Sequence, residues 1–205
     1  MSGILGIKVG MSQVYTPGGE CVAVTLVSTE GCVVVQSKTK EKDGYAAIQL
    51  GIGNKSLHRF GKAQKKHFDK AKIKPTRWLR EMRVDDASKY EVGKAMGLDF
   101  LKPGDRVQVR GTTKGRGFSG VVKRHHFEGG PGAHGSRFHR TTGSIGNHTF
   151  PRKVFKKRPM PGHYGNSCRT IRNIELVDVL KEENLLVLKG AMPGHPQGLL
   201  EIRKA

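Results

Sequence analysis

A glycine-rich stretch is the first candidate for a functional site in this sequence. Gly115, Gly117 and Gly120 match GxGxxG, a spacing that binds dinucleotides when it joins a strand to a helix. A dinucleotide site also needs an acidic residue about 20 positions further on to bind a ribose hydroxyl. After Glu128 the next acid is Glu175, and the flanking βαβ pattern is missing. The glycines therefore favour close approach of a basic backbone to phosphate.

Histidines in the same region raise the question of metal or nuclease chemistry. Those close together in sequence are His125, His126, His134 and His139. A metal-dependent nuclease needs carboxylates, and the region has only Glu128. A zinc site usually has ordered partners around its ligands, which this segment barely offers. Stacking on bases and hydrogen bonding to phosphate suit histidine, arginine and the interleaved aromatic residues better. We predict no metal and no cofactor.

Sequence signatures of hydrolases are absent. The chain has no GxSxG, no P-loop and no pair of carboxylates near the basic segment. We therefore predict that it is not an enzyme and has no small-molecule substrate. A nucleic-acid-processing enzyme remains a competing hypothesis, in which one His-to-Ala change would abolish turnover.

Charge indicates the class of partner. The 205 residues include 37 Lys and Arg against 17 acids, for a net charge of +20. Between residues 106 and 174 there are fifteen Lys or Arg and one acid, a net charge of +14. Such an excess usually requires a polyanion: nucleic acid, an anionic membrane surface or a secreted heparin-type ligand.

Membrane and secreted classes fit poorly. Pro151, Pro159 and Pro161 exclude the amphipathic helix of a membrane-surface protein, and no apolar run approaches the roughly 18 residues of a membrane span. The start, MSGILGIKVGM, lacks the features of a signal peptide. Cys21 and Cys32 lie in apolar runs and are predicted to be small core residues in a reducing compartment. We expect a soluble, cytoplasmic protein.

RNA is the polyanion that fits the basic segment best. Folded RNA has crevices that can surround a thin peptide, whereas duplex DNA offers grooves. The sequence shows no helix-turn-helix, zinc finger or basic zipper. We predict these RNA-binding residues: Lys114, Arg116, Lys123, Arg124, His125, His126, His134, Arg137, His139, Arg140, Arg152, Lys153, Lys156, Lys157, Arg158, His163 and Tyr164.

The elements that must position this segment are mainly β. Short β-branched runs separated by Gly and Pro turns fill residues 4–50, including a turn at Thr16-Pro17-Gly18-Gly19 and another at Lys42-Asp43-Gly44. Strand patterns return at 106–110, 169–179, 185–189 and 199–202. Residues 57–72 have helical spacing with a basic face. We predict a β-barrel built from both ends of the chain, with a small helix-containing insertion and one long excursion.

Several motifs in register resemble a known family. They are MSGILGIKVGMSQVY, Asp43-Gly44-Tyr45, GTTKGRGFSGVVKRHHFEGGPGAHGS, GSIGNHTFPRKVFKKRPMPGHYGN and NLLVLKGAMPG. Together they cover almost the whole chain in order and resemble the large-subunit ribosomal protein L three family of bacterial type.

The resemblance implies a fold and a set of domains. It implies a mainly β fold with some α, made of a translation-factor-like β-barrel, a small α/β insertion and a long extended basic loop. The barrel is assigned to residues 1–56, 102–126 and 166–205, the insertion to 57–101, and the rRNA-penetrating loop to 127–165.

The resemblance also implies a role. It implies a structural constituent of the large ribosomal subunit that binds 23S-type rRNA near its 3′ end and acts early in subunit assembly. The implied neighbours are ribosomal proteins L fourteen and L nineteen. The loop tip would approach the peptidyl transferase centre through Gly146, Asn147, His148, Thr149, Phe150, Pro151 and Arg152. The competing hypothesis is a nonspecific nucleic-acid-binding protein of chromatin or RNA-chaperone type.

The tip departs from the family pattern. Many bacterial relatives have a glutamine-rich tip ending in Thr-Pro-Gly, and in some of them a tip glutamine is methylated. Residues 143–158 contain no glutamine, and Arg152 stands where those relatives have glycine. We therefore predict no methylglutamine, which a mass spectrum of the native protein would check.

Overall fold

β-Strands dominate residues 3–16 and 18–204, which the computed structural model describes. The strands are β1 (Gly3–Tyr15), β2 (Cys21–Ser28), β3 (Val33–Lys38), β4 (Ala47–Asn54), β5 (Thr76–Arg83), β6 (Arg106–Thr112), β7 (Phe118–Ser119), β8 (Gly162–His163), β9 (Cys168–Leu180), β10 (Leu185–Lys189) and β11 (Leu199–Lys204). The helices are α1 (Lys40–Asp43), α2 (Lys62–Ala71) and α3 (Val121–His125), with a 3-10 turn at Leu57–Arg59. The prediction of a mainly β chain with little helix is confirmed.

Six antiparallel strands pair in a closed ring, in the order β1-β11-β6-β9-β10-β2. The first half of β1 pairs with β11, from Gly3↔Arg203 to Ile7↔Leu199, and β1 pairs with β2 from Ile7 onward. The ring therefore joins strands from the beginning and the end of the chain, as predicted. It also places the ends of β6 and β9, Thr112 and Cys168, opposite each other in register.

A three-stranded sheet, in the order β3-β4-β5, shares a core with the ring. The first half of β1 is buried on both faces, and Ile4 and Leu5 are fully buried. Gly3 lies so close to the Met82 sulfur of β5 that a Cβ there would come within 2.6 Å of it. On the other face of this sheet α2 packs through Phe68 against Val35 and Phe60.

Buried Glu201 links the two sheets by charge. Its carboxylate lies 3.1 Å from Nε of Arg80 in β5, 3.7 Å from Arg110 in β6 and 4.0 Å from Arg203 in β11. The side chain of Glu201 is only 10% exposed. Three guanidinium groups and one hydrogen bond, from Arg80, therefore compensate the burial of this carboxylate.

The prediction that Cys21 belongs to the core is wrong, whereas Cys32 is buried as predicted. The reason is the register of the ring. β10 covers β2 only from Val24 to Ser28, and β11 covers β1 only as far as Ile7. Cys21 therefore lies in the part of the β1–β2 hairpin that no third strand covers.

Three local expectations differ in detail. Ile4–Met11 and Gln13–Tyr15 form one strand with a bulge between Lys8 and Gly10. The predicted turn at Lys42–Gly44 is the end of the one-turn helix α1. In the turn after β1, the Gly19 amide donates to the Thr16 carbonyl at 2.8 Å, while Pro17 lies outside the described residues.

The chain divides into two compact units. We call residues up to Thr112 together with those from Cys168 onward the main unit, and Thr113–Ser167 the basic unit. The three-part division at residues 57, 102 and 127 stays a prediction. Of the helices among residues 3–16 and 18–204, none is long and apolar enough to cross a membrane.

Candidate nucleic-acid interface

The basic unit begins and ends in a short antiparallel ladder. The amide of Thr113 donates to the Ser167 carbonyl at 2.9 Å, and the amide of Arg116 donates to the Tyr164 carbonyl at 2.8 Å. In return, the Tyr164 amide donates to the Gly117 carbonyl at 2.9 Å. The pairing of β7 with β8 continues this ladder. The two ends of the unit are thus held together by backbone hydrogen bonds, which do not depend on side-chain type.

A cation–π contact lies beside this ladder. The Arg116 guanidinium lies 5.1 Å from the centroid of the Tyr164 ring. Attraction to the ring face orients the guanidinium while leaving its N–H groups available for phosphate. The structure therefore brings together two of the predicted RNA-binding residues, which are 48 positions apart in the chain.

Helix α3 places two further predicted residues against the segment that leads into β8. Nη1 of Arg124 donates to the Met160 carbonyl at 2.7 Å, and Nε2 of His125 lies 3.2 Å from the same oxygen. Val121 at the start of the helix is buried. Arg124 and His125 are half-buried. Nη1 of Arg124 and Nε2 of His125 therefore help to hold α3 against the segment around Met160.

Residues after the helix form a closed turn. The Gly130 amide donates to the His139 carbonyl at 2.8 Å, and Nδ1 of His139 lies 3.0 Å from the Pro131 carbonyl. Ser136 accepts the Phe138 amide at 3.2 Å. Within this turn and just after it, three predicted residues are exposed: His134, Arg137 and Arg140.

A groove in the basic unit combines cations with apolar surface. It is lined by Ile145, Gly146, Asn147, Phe155, Lys156, Lys157, Arg158 and Pro159. Nη2 of Arg158 donates to the Ser144 carbonyl at 2.6 Å, which joins the two sides of the groove. Phe155 and Ile145 are largely exposed. A groove of this kind can stack an unpaired base on Phe155 and bind its phosphate through the flanking cations.

The predicted tip, Gly146 to Arg152, is exposed except for half-buried Pro151. Nδ1 of His148 lies 2.8 Å from the Thr149 hydroxyl, and Nε of Arg152 donates to the Thr149 carbonyl at 3.2 Å. Arg152 has φ +57, a left-handed conformation that non-glycine residues rarely adopt. Phe150 is 86% exposed. The tip thus presents a large apolar side chain to solvent.

The cations of the basic unit form no ion pair with any acid among residues 3–16 and 18–204. This unit contains eleven Lys or Arg and one acid, Glu128. Every ion pair between described residues lies in the main unit, for example Lys38–Glu81 at 2.6 Å and Lys189–Glu175 at 2.8 Å. The main unit thus pairs nine of its 26 cations with acids among the described residues, whereas the cations of the basic unit are left for an external polyanion.

All the predicted RNA-binding residues lie within the basic unit, but they are not gathered at one point. Lys114, Lys123, His126, His163 and Lys153 are exposed, and Lys153 lies 5.9 Å from the Phe155 ring. Among described residues no group of three His, Cys, Asp or Glu side chains is arranged to hold a metal. Sequence reasoning missed Ile145 as part of a groove, because a single aliphatic residue in a polar segment gives no periodic signal.

The chain is similar over nearly its whole length to proteins of known identity. The Ribosomal protein L3 family model matches residues 82–185. Large ribosomal subunit protein uL3 of Pelotomaculum thermopropionicum is 50% identical over 203 residues, covering 99% of this chain and 96% of that protein. The same-named protein of Thermotoga maritima is 47% identical over 205 residues, covering 100% and 98%. That of Brachyspira pilosicoli is 44% identical, covering 100% and 94%. The resemblance seen in the sequence is confirmed, and the chain belongs to the ribosomal protein L3 family.

Proposed function

We propose that this chain is a structural constituent of the large ribosomal subunit and binds rRNA through its basic unit. The carrying observation is that the eleven Lys and Arg in Thr113–Ser167 form no ion pair with the acids that the structure describes, although nine cations of the main unit do. RNA phosphates would neutralise these cations and release counterions. The exposed aromatic side chains would stack on unpaired bases.

Family membership decides the broad class. The L3 family is one of structural ribosomal proteins, so the predictions of a non-enzyme and of a place in the cytoplasmic large subunit are confirmed. Association with rRNA and with other ribosomal proteins follows from the same membership.

Finer features of the role rest on the resemblance and on the form of the chain. We propose that the closed six-stranded ring is a translation-factor-like β-barrel, which anchors the protein near the 3′ end of 23S-type rRNA early in assembly. L fourteen and L nineteen are the proposed neighbours. The exposed tip at Gly146 to Arg152 is the part that would support the peptidyl transferase centre. Its long exposed stretch and its lack of acids suit an RNA crevice.

The test is filter binding of the full-length protein to a transcript of the 3′ domain of large-subunit rRNA, with duplex DNA of equal length as competitor. Replacing Lys153, Lys156 and Lys157 by Gln should reduce the slope of log K against log salt by up to about 2.7, since each phosphate contact contributes roughly 0.9. The matched control replaces Lys89, Lys94 and Lys181, which already face carboxylates in the main unit.

Both variants lose the same charge, so a difference between them reports the location of the RNA contact. A smaller slope for the basic-unit variant alone, with RNA preferred over DNA, supports the proposal. Equal binding of RNA and DNA by the unmodified protein would favour the nonspecific nucleic-acid-binding alternative.

A further inference from the structure

A cleft in the main unit, far along the chain from the basic unit, gathers cations without acids. It is lined by Asn54, Lys55, Ser56, Arg59 and Arg77. Asn54 ends β4, Arg59 ends the 3-10 turn, and Arg77 lies at the start of β5. The register Asn54↔Thr76 in the β4–β5 ladder brings Arg77 beside the other four.

The three cations of this cleft differ from those cations of the main unit that pair with acids. Arg80 pairs with Glu201, and Lys89 and Lys94 pair with acids three residues away. None of the ion pairs found among residues 3–16 and 18–204 includes Lys55, Arg59 or Arg77. Their charge is therefore available to an anion.

Aromatic rings orient two of these cations in advance. The Lys55 ammonium lies 4.7 Å from the centroid of the Phe60 ring, and the Arg77 guanidinium lies 4.2 Å from that of Trp78. Phe60 is buried in the α2 core. Trp78 lies against Gly53, where an added Cβ would approach the indole to 2.9 Å and where φ is +79. Because packing fixes the rings, less side-chain entropy is lost when the cations bind an anion.

The chemistry of the lining matches a phosphate diester. Guanidinium groups bind phosphate oxygens in pairs, and the Asn54 amide and Ser56 hydroxyl add neutral donors. Residues 55–80 contain ten Lys or Arg and one acid, Asp69, so the surroundings also attract a polyanion. We propose that this cleft binds a backbone phosphate of RNA and gives the main unit an RNA contact of its own. The proposal rests on the proposed function and names residues through which the main unit, proposed there to anchor the protein on rRNA, would contact it.

The first test compares two full-length variants of equal net charge. R59Q/R77Q removes two cations of the cleft, while K89Q/K94Q removes two cations that already face carboxylates. In filter binding to the 3′-domain transcript, R59Q/R77Q should lose this phosphate contact, which reduces the salt slope by about 0.9 and weakens binding at 0.1 M salt roughly 8-fold. K89Q/K94Q should bind like the unmodified protein. Urea unfolding of both variants checks that they are folded.

A second readout comes from Trp78, the one tryptophan of the chain. Because Arg77 stacks on it, capture of a phosphate by Arg77 should change the indole emission when the transcript is added. K55Q/R59Q keeps the Arg77–Trp78 contact but should need several-fold more RNA for the same change. Polyglutamate of similar charge should not reproduce that change.

These outcomes separate the two proposals. If the unmodified protein prefers RNA over DNA but R59Q/R77Q binds like K89Q/K94Q, the cleft proposal is wrong and the proposed function stands. Unchanged Trp78 emission on RNA binding, or an equal response to polyglutamate, also overturns the cleft proposal. Loss of the RNA preference in the unmodified protein instead overturns the proposed function.

Discussion

Gly165 lies in the short ladder that joins the two ends of the basic unit, and replacing it with Ala should make this ladder open more easily. Gly165 has φ +73, and an ideal Cβ there would overlap the Lys114 carbonyl oxygen and lie 3.0 Å from Cα of Gly115. A left-handed Ala costs roughly 1–2 kcal/mol. Moving the Lys114 carbonyl also disturbs the two hydrogen bonds between Tyr164 and the opposite segment, each contributing about 1 kcal/mol. We expect local opening to become easier by about 3 kcal/mol, the sum of these effects.

Native-state hydrogen exchange measures this opening directly. The Tyr164 amide, which donates to the Gly117 carbonyl, should lose about 100-fold of its protection, because each 1.4 kcal/mol is tenfold. The matched control is Gly132→Ala in the same unit, where an added Cβ meets nothing within 4 Å and φ is not in the left-handed range. Amides of the ring strands should keep their protection in both variants. Equal protection of Tyr164 in the two variants would refute the reasoning.

Four other predictions concern the free protein. Cys21 and Cys168 should react with a thiol reagent at pH 8 while Cys32 does not, because burial raises the pKa of Cys32 to about 11; fast labelling of all three thiols would contradict this. Glu201→Gln should lower the free energy of unfolding in urea by about 2 kcal/mol, since it weakens a charge-assisted hydrogen bond and leaves nearby arginines unpaired. A hydrogen bond from Lys204 lowers the pKa of Asp105. The ionised Asp105 therefore stabilises the fold above about pH 4, and this stabilisation is lost as pH falls through the folded-state pKa. Asp105→Asn should make the free energy of unfolding less dependent on pH in that acidic range. Amides of residues 130–160 should exchange rapidly without RNA, and strong protection there would show an arm ordered on its own.

Much of the main unit was predictable because its signal is local. Alternation with period 2 identified β9, and a short apolar run identified β10. Strand patterns at 106–110 and 199–202 identified β6 and β11 within a few residues, and the pairing of both chain ends followed from their shared strand character. The bulge in β1 was not predictable, since it depends on which strands cover each half of the hairpin. The exposure of Cys21 has the same cause: an apolar run shows that a strand can be buried and not whether a neighbour covers it.

The candidate site was predictable in composition but not in geometry. The excess of Lys and Arg over acids, together with the aromatic residues between them, identified the basic segment. Both properties can be counted along the sequence without knowing which residues are in contact. The contact between Arg116 and Tyr164 and the shared Met160 carbonyl arise from pairing across the segment, for which no sequence period exists. The cleft at Arg59 and Arg77 was missed for a similar reason: the β4–β5 register brings together residues that are 18 positions apart.

The two units carry equal net charge in different ways, and this difference explains how one chain can fold alone and still require a partner. Each has a net charge of +10, but the main unit reaches it with 26 cations and 16 acids, whereas the basic unit has eleven cations and one acid. The main unit can therefore offset self-repulsion with ion pairs and an apolar core that is continuous between ring and sheet. The basic unit has little apolar burial beyond Val121 and cannot offset its ordering entropy alone. Binding RNA supplies both the counter-charge and the surface that this unit lacks. The free-energy cost of ordering the unit therefore reduces the net free energy of RNA binding. The affinity of the complex should consequently depend on salt more steeply than the stability of the main unit does.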